Sequence, residues 1–407
     1  MTEKRCRKLL VVNQYYAPDV AATGQLAADI CESMSERGVK VYVVAGEPSY
    51  TSSAERAPLG EARNGVQVRR VPMGRAVGRE SLGTRLRGYV RFLRRAARVA
   101  EEIVEMESPD TVLTFHNPPL VGRIGARLAR RHGLRFVYAP QDIHPDILVA
   151  TNWLRLPGPL VKMWDASHRR IMSHADEIVV LGEGMKRTLV QEKGVPAERV
   201  RVAPLWARPE LQPQPRSNAI RTELSVGEED LLLLYAGNMG IMHPLDPIAD
   251  AAALLRGVPV RFLFLGDGAK RRALVLRVER ERLESIRFLP FQSQERFRDI
   301  VAAADACFVA LQPGLERLAV PSRSYTFLSA GRPLITLMAP EADIARLVRD
   351  GGCGWNVRTG AQLADLIRRL AQEPEELRVA GRRARDIYES RFQKDRVLEE
   401  YARLLRV

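Results

Sequence analysis

The hydrophobic and polar residues at the start of the chain alternate between two kinds of segment. The apolar runs KLLVVNQY and VKVYVVAG have the length of strands, and between them Leu26, Ile30 and Met34 recur at the spacing of one helix face. Gly38 ends the helical pattern, so a βαβ unit is predicted. Further apolar runs in the first half predict strands at VQVRRV, TVLTFH, RFVYAP, EIVVLG and VRVAPL. Together these elements predict an open α/β sheet.

A change in composition divides the chain near its middle. Residues 204–230 are rich in proline and polar side chains, which is typical of a boundary between domains. The alternation then resumes, with strands predicted at DLLLLYAG, VRFLFLG, IRFLPF, ACFVALQ and PLITLM. Helices are predicted near residues 246–256, 270–283, 293–303, 322–330 and 340–350. The chain is therefore expected to form two Rossmann-like α/β domains facing a cleft, 1–207 and 208–389, with a terminal helix at about 390–407 packing back on the first.

Composition narrows the class of protein. The chain has 407 residues, of which 46% are hydrophobic and 28% charged, as in soluble globular proteins, and no apolar run reaches the roughly 18 residues of a membrane span. The N-terminal segment is predicted to be a strand and not a signal peptide. The net charge of +14 indicates attraction to nucleic acid, anionic lipid or a phosphorylated ligand. Four cysteines are too scattered for a zinc site or a disulfide framework and fit a reducing cytoplasm: Cys6, Cys31, Cys307 and Cys353.

Four turns between a predicted strand and a predicted helix have the composition of anion-binding loops. Glycine lets a ligand approach the backbone closely, and the N–H groups at a helix start attract negative charge. A single turn of this kind is more often only a tight connection, so the inference depends on finding four. None has the GxGxxG spacing, which argues against an ordinary dinucleotide site. The candidate residues are Thr23 and Gly24; Gly237, Asn238 and Gly240; Gly266, Asp267 and Gly268; and Ser322 and Arg323.

The segment AVPSRSYTFLSAGRPLI places a cation at the start of a predicted helix. Ser322 is predicted to cap this helix, and Gly331 to end it. Because the N-terminus of a helix carries a partial positive charge, Arg323 is unfavourable there by about a few tenths of a kcal/mol unless an anion lies beside it. The hypothesis is that this anion is a diphosphate. The alternative is that Arg323 is a solvated surface residue.

The order of motifs along nearly the whole chain resembles one enzyme family. The motifs are YYAPDVAATGQLAADI, QDIHPD, LLYAGNMG, FLFLGDG, VPSRSYTFLSAGRPLI and GGCGWNV. They are similar to those of the GT-B retaining glycosyltransferases of group 1 (GT4), above all bacterial members that build surface polysaccharides or glycosylate natural products. The resemblance implies transfer of a sugar from a nucleotide diphosphate donor to a glycan, lipid-linked or natural-product acceptor, with retention at the anomeric carbon. It also implies that no cofactor and no metal is needed, because helix dipoles and basic side chains act on the diphosphate.

The same resemblance assigns donor contacts in both domains. Arg323 occupies the place of the lysine in the family's PSK motif, where it would stabilise the charge that the leaving diphosphate gains. Two family glutamates are replaced by Leu318 and Thr326, and the Arg and Lys that often follow the YAG glycines are absent, which leaves Lys270 or Arg271 as weaker candidates. The implied donor-binding residues besides Arg323 are Gly24, Gly237, Asn238, Gly240, Gly266, Asp267, Gly268, Pro290, Ser322 and Thr326.

The segment QDIHPD follows a predicted strand of the first domain and carries the candidate catalytic residues of that domain. The resemblance implies that Asp142 and His144 face the transferred sugar or the acceptor, where they would orient a hydroxyl or stabilise an oxocarbenium ion. The alternative is that Asp142 caps the next helix and His144 packs at a turn. At another strand end, His116 and Asn117 are candidates for the acceptor side, with a structural role equally open. His243 is a further candidate near the donor sugar.

Residues 82–99 predict a basic amphipathic helix. Leu86, Tyr89, Val90 and Leu93 can share one face, with arginines around the rest. In the family the first domain often meets a lipid-linked acceptor. The helix is therefore expected either to dock on the inner face of an anionic membrane or to be an ordinary helix with its apolar face in the core. The protein is otherwise expected in the cytoplasm.

Three other functions stay open from the sequence. Nucleic-acid binding would suit the charge, but the chain has no zinc finger, no RNP-type motif and only 6% aromatic residues, so no nucleic-acid partner is expected. A nucleotide-sugar 2-epimerase of the GT-B type would act on the same donor without transferring its sugar, and product analysis without acceptor separates the two. A catalytically inactive binding relative would fit the missing glutamates.

Overall fold

The computed structural model of the protein describes residues 5–19, 21–48, 57–73, 82–152 and 157–407. Contacts divide the chain into two compact units. The first comprises Met1–Asp146, Leu156–Ala203 and Leu398–Val407, and the second comprises Ile147–Arg155 and Pro204–Val397. Each unit is built around its own largely parallel sheet, which confirms the predicted α/β fold class.

One sheet forms the centre of the first unit. Its strands are Lys8–Val12 (β1), Lys40–Gly46 (β2), Gly60–Arg63 (β3), Val66–Val71 (β4), Thr111–Thr114 (β5), Arg135–Tyr138 (β6), Glu177–Val180 (β7) and Val200–Val202 (β8). They lie in the order β3-β4-β2-β1-β5-β6-β7-β8, and only the β3–β4 pair among them is antiparallel in the described residues. Leu9 to Val12 are fully buried, as expected where helices cover both faces of a parallel sheet.

Helices follow the strands in this part of the chain. They are Ala22–Glu36 (α1), Leu82–Glu107 (α2), Gly122–His132 (α3), Asp146–Ala150 (α4), Gly158–Ser173 (α5) and Glu183–Arg187 (α6). A π-helical segment, Thr188–Glu192, continues α6, and a 3₁₀ turn covers Ala197–Arg199. In α1, Leu26, Ile30 and Met34 are buried, as their spacing predicts.

The second unit has a parallel sheet of six strands among the described residues. They are Leu231–Ala236 (β9), Val260–Leu265 (β10), Ile286–Leu289 (β11), Ala306–Ala310 (β12), Leu334–Leu337 (β13) and Gly354–Val357 (β14). Their order is β11-β10-β9-β12-β13-β14. Phe262 and Phe308 stack with ring centroids 6.3 Å apart, and Phe264 and Phe288 with centroids 5.2 Å apart. The first pair spans β9 and the second joins the neighbouring strands β10 and β11, so these rings pack together in one apolar core.

The helices of the second half complete the fold. They are Ala219–Glu223 (α7), Asp246–Leu254 (α8), Arg271–Arg280 (α9), Gln294–Ala303 (α10), Arg323–Ser329 (α11), Asp343–Gly351 (α12), Gly360–Gln372 (α13), Pro374–Arg391 (α14) and Lys394–Leu405 (α15). Residues 398–407, at the end of α15, belong to the first unit. There the Cys6 N–H donates to the Arg406 carbonyl at 2.9 Å, and Arg135 Nη1 donates to the Leu404 carbonyl at 2.6 Å.

Some local predictions need correction. Strands β3 (GEAR) and β14 (GWNV) were not predicted, because neither contains a run of fully buried apolar residues. Ser322 precedes α11, but its side chain makes no capping hydrogen bond. Its backbone is already helical (φ −62°, ψ −27°), whereas a capping side chain acts from an extended residue. Gly331 does follow the last turn of α11, with φ at 65°.

Candidate active site

Three loops of the first unit meet beyond the carboxyl ends of β1, β5 and β6. The Gln14 N–H, after β1, donates to the carbonyl of Asn117, after β5, at 2.8 Å. The side-chain amide of Asn117 donates to Thr23 Oγ1 in α1 at 3.0 Å. His116, beside Asn117, contacts Asp142 after β6. The candidate residues of the first unit therefore lie along one edge of its sheet.

Gly24 lies in the first turn of α1, against the loop that follows β1. A Cβ at this position would lie 3.1 Å from Tyr15 Cβ and 3.2 Å from the Tyr16 nitrogen. The glycine therefore lets α1 pack closely on this loop. Because packing alone explains the residue, its contact with a donor stays a prediction.

Both ring nitrogens of His116 have hydrogen-bond partners. The Gln141 N–H donates to Nδ1 at 3.2 Å, so the proton of the neutral imidazole is on Nε2. Nε2 lies 3.2 Å from Asp142 Oδ2 and donates to it. His116 is 5% exposed, whereas the Asp142 side chain is 35% exposed. The imidazole thus holds one carboxylate oxygen of Asp142 in place while the carboxylate stays accessible.

His116, Asp142 and His144 also lie close enough to hold a metal ion, since one ligand atom of each lies within 4.8 Å of the others. A histidine nitrogen must be unprotonated to bind a metal. Nε2 of His116 carries the proton that it donates to Asp142, and moving this proton to Nδ1 would set it against the Gln141 N–H. In this structure the group is arranged as a hydrogen-bonded imidazole and carboxylate.

Asp142 is ionised at neutral pH. Burial alone would raise its pKa, but the hydrogen bond that it accepts from His116 holds the pKa below its ordinary value. Asp142 does not cap α4, because that helix begins at Asp146. The structure therefore leaves an accessible negative charge at the edge of the sheet.

The ring of His144 stacks with two other rings. Its centroid lies 6.0 Å from that of His116 and 5.8 Å from that of Trp164, with interplanar angles of 27° and 12°. Burial, together with the neighbouring His116, lowers the pKa of His144 to about 4. Its Nδ1 is buried and has no hydrogen-bond partner among the described residues. His144 is therefore a neutral imidazole at pH 7, stacked with the rings of His116 and Trp164.

Two glycine turns of the second unit interlock. Gly266, after β10, has φ at 131°, and a Cβ there would lie 2.1 Å from the carbonyl oxygen of Gly237, after β9. Gly268 has φ at 152°, and its Cβ would lie 2.5 Å from Asn238 Oδ1 and 2.6 Å from the Met239 oxygen. Only glycine fits this close approach of the two turns.

Hydrogen bonds join the same two turns. The Met239 N–H donates to the Asp267 carbonyl at 2.8 Å, and the Lys270 N–H donates to the Met239 carbonyl at 2.8 Å. Lys270 Nζ donates to the His243 carbonyl at 2.8 Å. His243 Nδ1 lies 2.7 Å from the Ala310 carbonyl, and burial lowers the pKa of this imidazole. Lys270 and His243 therefore support the turns that carry the glycines.

The remaining candidates of the second unit lie around these turns or in α11. A Cβ at Gly240 would lie 2.9 Å from Asn238 Nδ2. Pro290 follows Leu289, whose carbonyl accepts from the Gly266 N–H at 2.9 Å. In the turn before α11, Ser322 is exposed, and Thr326, one turn into the helix, is half-buried. Their roles as donor contacts stay predictions.

Arg323 is the first residue of α11 and reaches the first glycine turn. Its Cγ and Nε lie 3.9 Å from the position that a Cβ of Gly237 would occupy. Its guanidinium carbon lies 5.0 Å from the ring centroid of Phe297, in α10. A cation, a helix start and a glycine turn therefore meet in one place, which is an arrangement suited to an anion.

Two family profiles match the chain in succession. One, described as "Glycosyl transferase 4-like domain", matches residues 22–206, and the other, "Glycosyl transferases group 1", matches residues 230–373. The chain belongs to the group 1 glycosyltransferases. This confirms the family resemblance in the sequence and disfavours the epimerase and nucleic-acid alternatives.

This glycosyltransferase is similar to relatives over most of its length. The probable glycosyltransferase WbjE of Pseudomonas aeruginosa is 27% identical over 306 residues, which are 73% of this chain and 74% of WbjE. Sucrose-phosphate synthase from Thermosynechococcus elongatus matches with a TM-score of 0.76 and 15% identity over 98% of both chains. Anabaena HepE in complex with UDP-glucose matches with a TM-score of 0.71 and 16% identity, over 98% of this chain and 99% of HepE. The structural matches show the GT-B fold.

Four residues around the glycosyltransferase site were not singled out from the sequence: Gln141, Trp164, Lys193 and Phe297. Gln141 acts through its backbone N–H, which no residue type signals. Trp164 and Phe297 lie on helices more than fifteen residues from the side chains that they contact. The only available signal was an aromatic residue within a helix, which is common without function.

Proposed function

We propose that this glycosyltransferase moves a sugar from a nucleoside diphosphate donor to an acceptor hydroxyl with retention of configuration. The observation that carries the proposal is the meeting of Arg323, the start of α11 and the Gly237 turn. A cation at the start of a helix is favourable when an anion lies beside both the cation and the helix N-terminus. HepE, which shares the fold, was solved with UDP-glucose, and this supports a nucleotide sugar as the donor.

The donor diphosphate is bound in this proposal by the turns of the second unit. When the bond to the sugar breaks, negative charge grows on the leaving diphosphate. Arg323 and the N–H groups at the start of α11 then stabilise the transition state more than the bound donor, which is the condition for faster turnover. The basic side chain and the helix dipole replace a metal, so we propose that the reaction needs neither a metal nor a cofactor.

The group of Asp142, His116 and His144 acts on the sugar or on the acceptor in this proposal. The ionised Asp142 stabilises positive charge developing at the anomeric carbon or accepts a hydrogen bond from the acceptor hydroxyl, and His116 fixes its orientation. Neutral His144, which stacks on His116, faces the same hydroxyl groups in this proposal. The departing phosphate takes the acceptor proton, so no strongly basic side chain is required.

The exposed surface of helix α2 favours an acceptor that is held at an anionic membrane. Leu86 is 51% exposed and Val90 is 47% exposed, while Phe92 and Ala96 face the core. Exposed arginines flank the exposed pair at positions 87, 91, 94, 95 and 98. The side chains of Leu82 and Arg85 lie outside the described residues. No helix in the described part of the chain has the length and apolarity to cross a bilayer.

We propose that α2 lies on an anionic bilayer surface, where Leu86 and Val90 enter the interface and the arginines meet the lipid head groups. Cosedimentation with phosphatidylglycerol vesicles should exceed that with phosphatidylcholine vesicles. The change of Leu86 and Val90 to Gln should weaken it. Equal sedimentation of wild type and variant would contradict the membrane proposal and leave the transferase proposal intact.

A thermal-shift panel of UDP, GDP, dTDP and CDP tests the donor proposal. A nucleotide at a hundred times its dissociation constant should stabilise the folded protein by about 2.7 kcal/mol. Arg323→Ala should lose this shift, whereas Arg349→Ala, which changes an exposed arginine of α12 in the same unit, should keep it. A wild type that none of the nucleotides stabilises would contradict the proposal.

A further inference from the structure

Arg323 packs on the aromatic ring of Phe297, which is not one of the proposed donor-binding residues. The guanidinium carbon lies 5.0 Å from the centroid of Phe297, which is half-buried in the first turns of α10. Ser293 caps the start of α10, since its Oγ accepts from the Arg296 N–H at 3.3 Å. The ring thus belongs to a capped helix and lies under the guanidinium.

The same side chain lies beside the glycine turn that follows β9. Cγ and Nε of Arg323 lie 3.9 Å from the position that a Cβ of Gly237 would occupy. Gly237 has φ at 148°, a conformation that side-chain-bearing residues rarely adopt. The arginine therefore lies over a ring from α10 and beside the glycine turn at the end of β9.

Arginine and lysine differ in what they gain from this ring. A guanidinium is planar and weakly hydrated, so it stacks on an aromatic face while its N–H groups still point at a phosphate. A lysine ammonium is compact and strongly hydrated, and it gains less from the same ring. The residue type at position 323 and the ring at position 297 are thus chemically matched.

We propose that Phe297 is a positioning residue that holds the Arg323 guanidinium toward the donor diphosphate and makes this enzyme depend on arginine, rather than lysine, at position 323. The inference rests on the proposed function, because the orientation of the Arg323 guanidinium matters for turnover only if Arg323 binds the diphosphate. Phe297 itself does not touch the donor in this account.

The test is a set of four proteins: wild type, Phe297→Leu, Arg323→Lys and the double variant. The kcat/KM for donor turnover should fall about three- to thirtyfold in each single variant, the range expected for loss of a cation–π contact. In the Phe297→Leu background, Arg323→Lys should lower kcat/KM by less than about threefold, because the ring that distinguished the two cations is gone. Phe297→Tyr keeps the ring face and should restore the preference for arginine.

A matched control separates this effect from a loss of packing. Arg271 lies 5.9 Å from the centroid of Phe288, so Phe288→Leu removes a ring under another arginine of the same unit. In this background, Arg323→Lys should lower kcat/KM by the same factor as in the wild type, even if Phe288→Leu lowers the melting temperature. The proposal is overturned if Arg323→Lys costs the same factor in the wild type and in the Phe297→Leu background. If Arg323→Ala is fully active, the proposed function itself fails.

Discussion

The ammonium of Lys193 lies 2.7 Å from each carboxylate oxygen of Asp146, and the lysine side chain is only 5% exposed. The same ammonium lies 2.5 Å from Asp165 Oδ1. Asp146 lies two residues after His144, and Asp165 follows Trp164, which stacks on His144. One lysine therefore ties together the two segments that hold the ring of His144 in place.

Replacing this lysine should destabilise the first unit. Lys193→Met leaves Asp146 and Asp165 without their shared cation, and the unfolding free energy should fall by about 2 to 4 kcal/mol. This loss is somewhat below the cost of breaking a fully buried pair, because each carboxylate is about a quarter exposed. Urea unfolding monitored by tryptophan fluorescence measures this loss. Lys162→Met, at an exposed position of α5, is the control and should change stability little.

Removing the charge of Asp142 should impair turnover more than folding. Asp142→Asn keeps the size of the side chain, and we expect kcat to fall by about 100-fold or more while nucleotide binding, measured by thermal shift, is retained. Asp386→Asn, at an exposed position of α14, should be fully active. Wild-type kcat in Asp142→Asn would show that this carboxylate has no part in the chemistry.

Two histidines with lowered pKa values should make the protein sensitive to mild acid. Burial lowers the pKa of His144 to about 4 and that of His168 to about 3, from an ordinary value of 6.5. Between pH 6.5 and 4 the unfolded chain therefore binds protons that the folded chain does not, so stability falls as the pH falls, by up to about 1.4 kcal/mol per unit for each histidine. The carboxylates Asp142 and Asp165, whose pKa values are lowered, add a loss only below about pH 4.

The variant His168→Gln isolates one of these contributions. Between pH 6.5 and 4 it should reduce the slope of unfolding free energy against pH by the contribution of one proton, about 1.4 kcal/mol per pH unit, since Gln does not titrate. Chemical denaturation at several pH values in this range gives the slope. An unchanged slope would mean that His168 is protonated in the folded protein.

The interlocked glycine turns should tolerate no side chain. Gly266→Ala would place a Cβ 2.1 Å from the Gly237 oxygen, and we expect a loss of about 3 kcal/mol or more together with loss of nucleotide binding. Gly257→Ala is the matched control, because Gly257 also has a positive φ (82°) but no atom within 4 Å of its Cβ position. It should cost only about 1 to 2 kcal/mol of backbone strain and leave nucleotide binding intact.

The sequence predicted the two sheets because their strands are fully buried runs, such as Leu9 to Val12, that periodicity reveals directly. It also placed Asp142 and His116 at strand ends, but their contact depends on β5 and β6 being neighbours in the sheet. The tautomer of His116 depends on a backbone N–H, and the ring stack on His144 depends on how α5 packs. Contacts of this kind are set by tertiary structure and have no local signature.

The turnover number of Arg323→Ala shows whether the donor diphosphate binds at the start of α11. We expect release of the nucleoside diphosphate from the donor identified by thermal shift to slow by roughly 10- to 100-fold or more, the effect of losing one charge-stabilising group in the transition state. Arg349→Ala should turn over at the wild-type rate. Wild-type turnover in Arg323→Ala would contradict the assignment of the diphosphate to the start of α11.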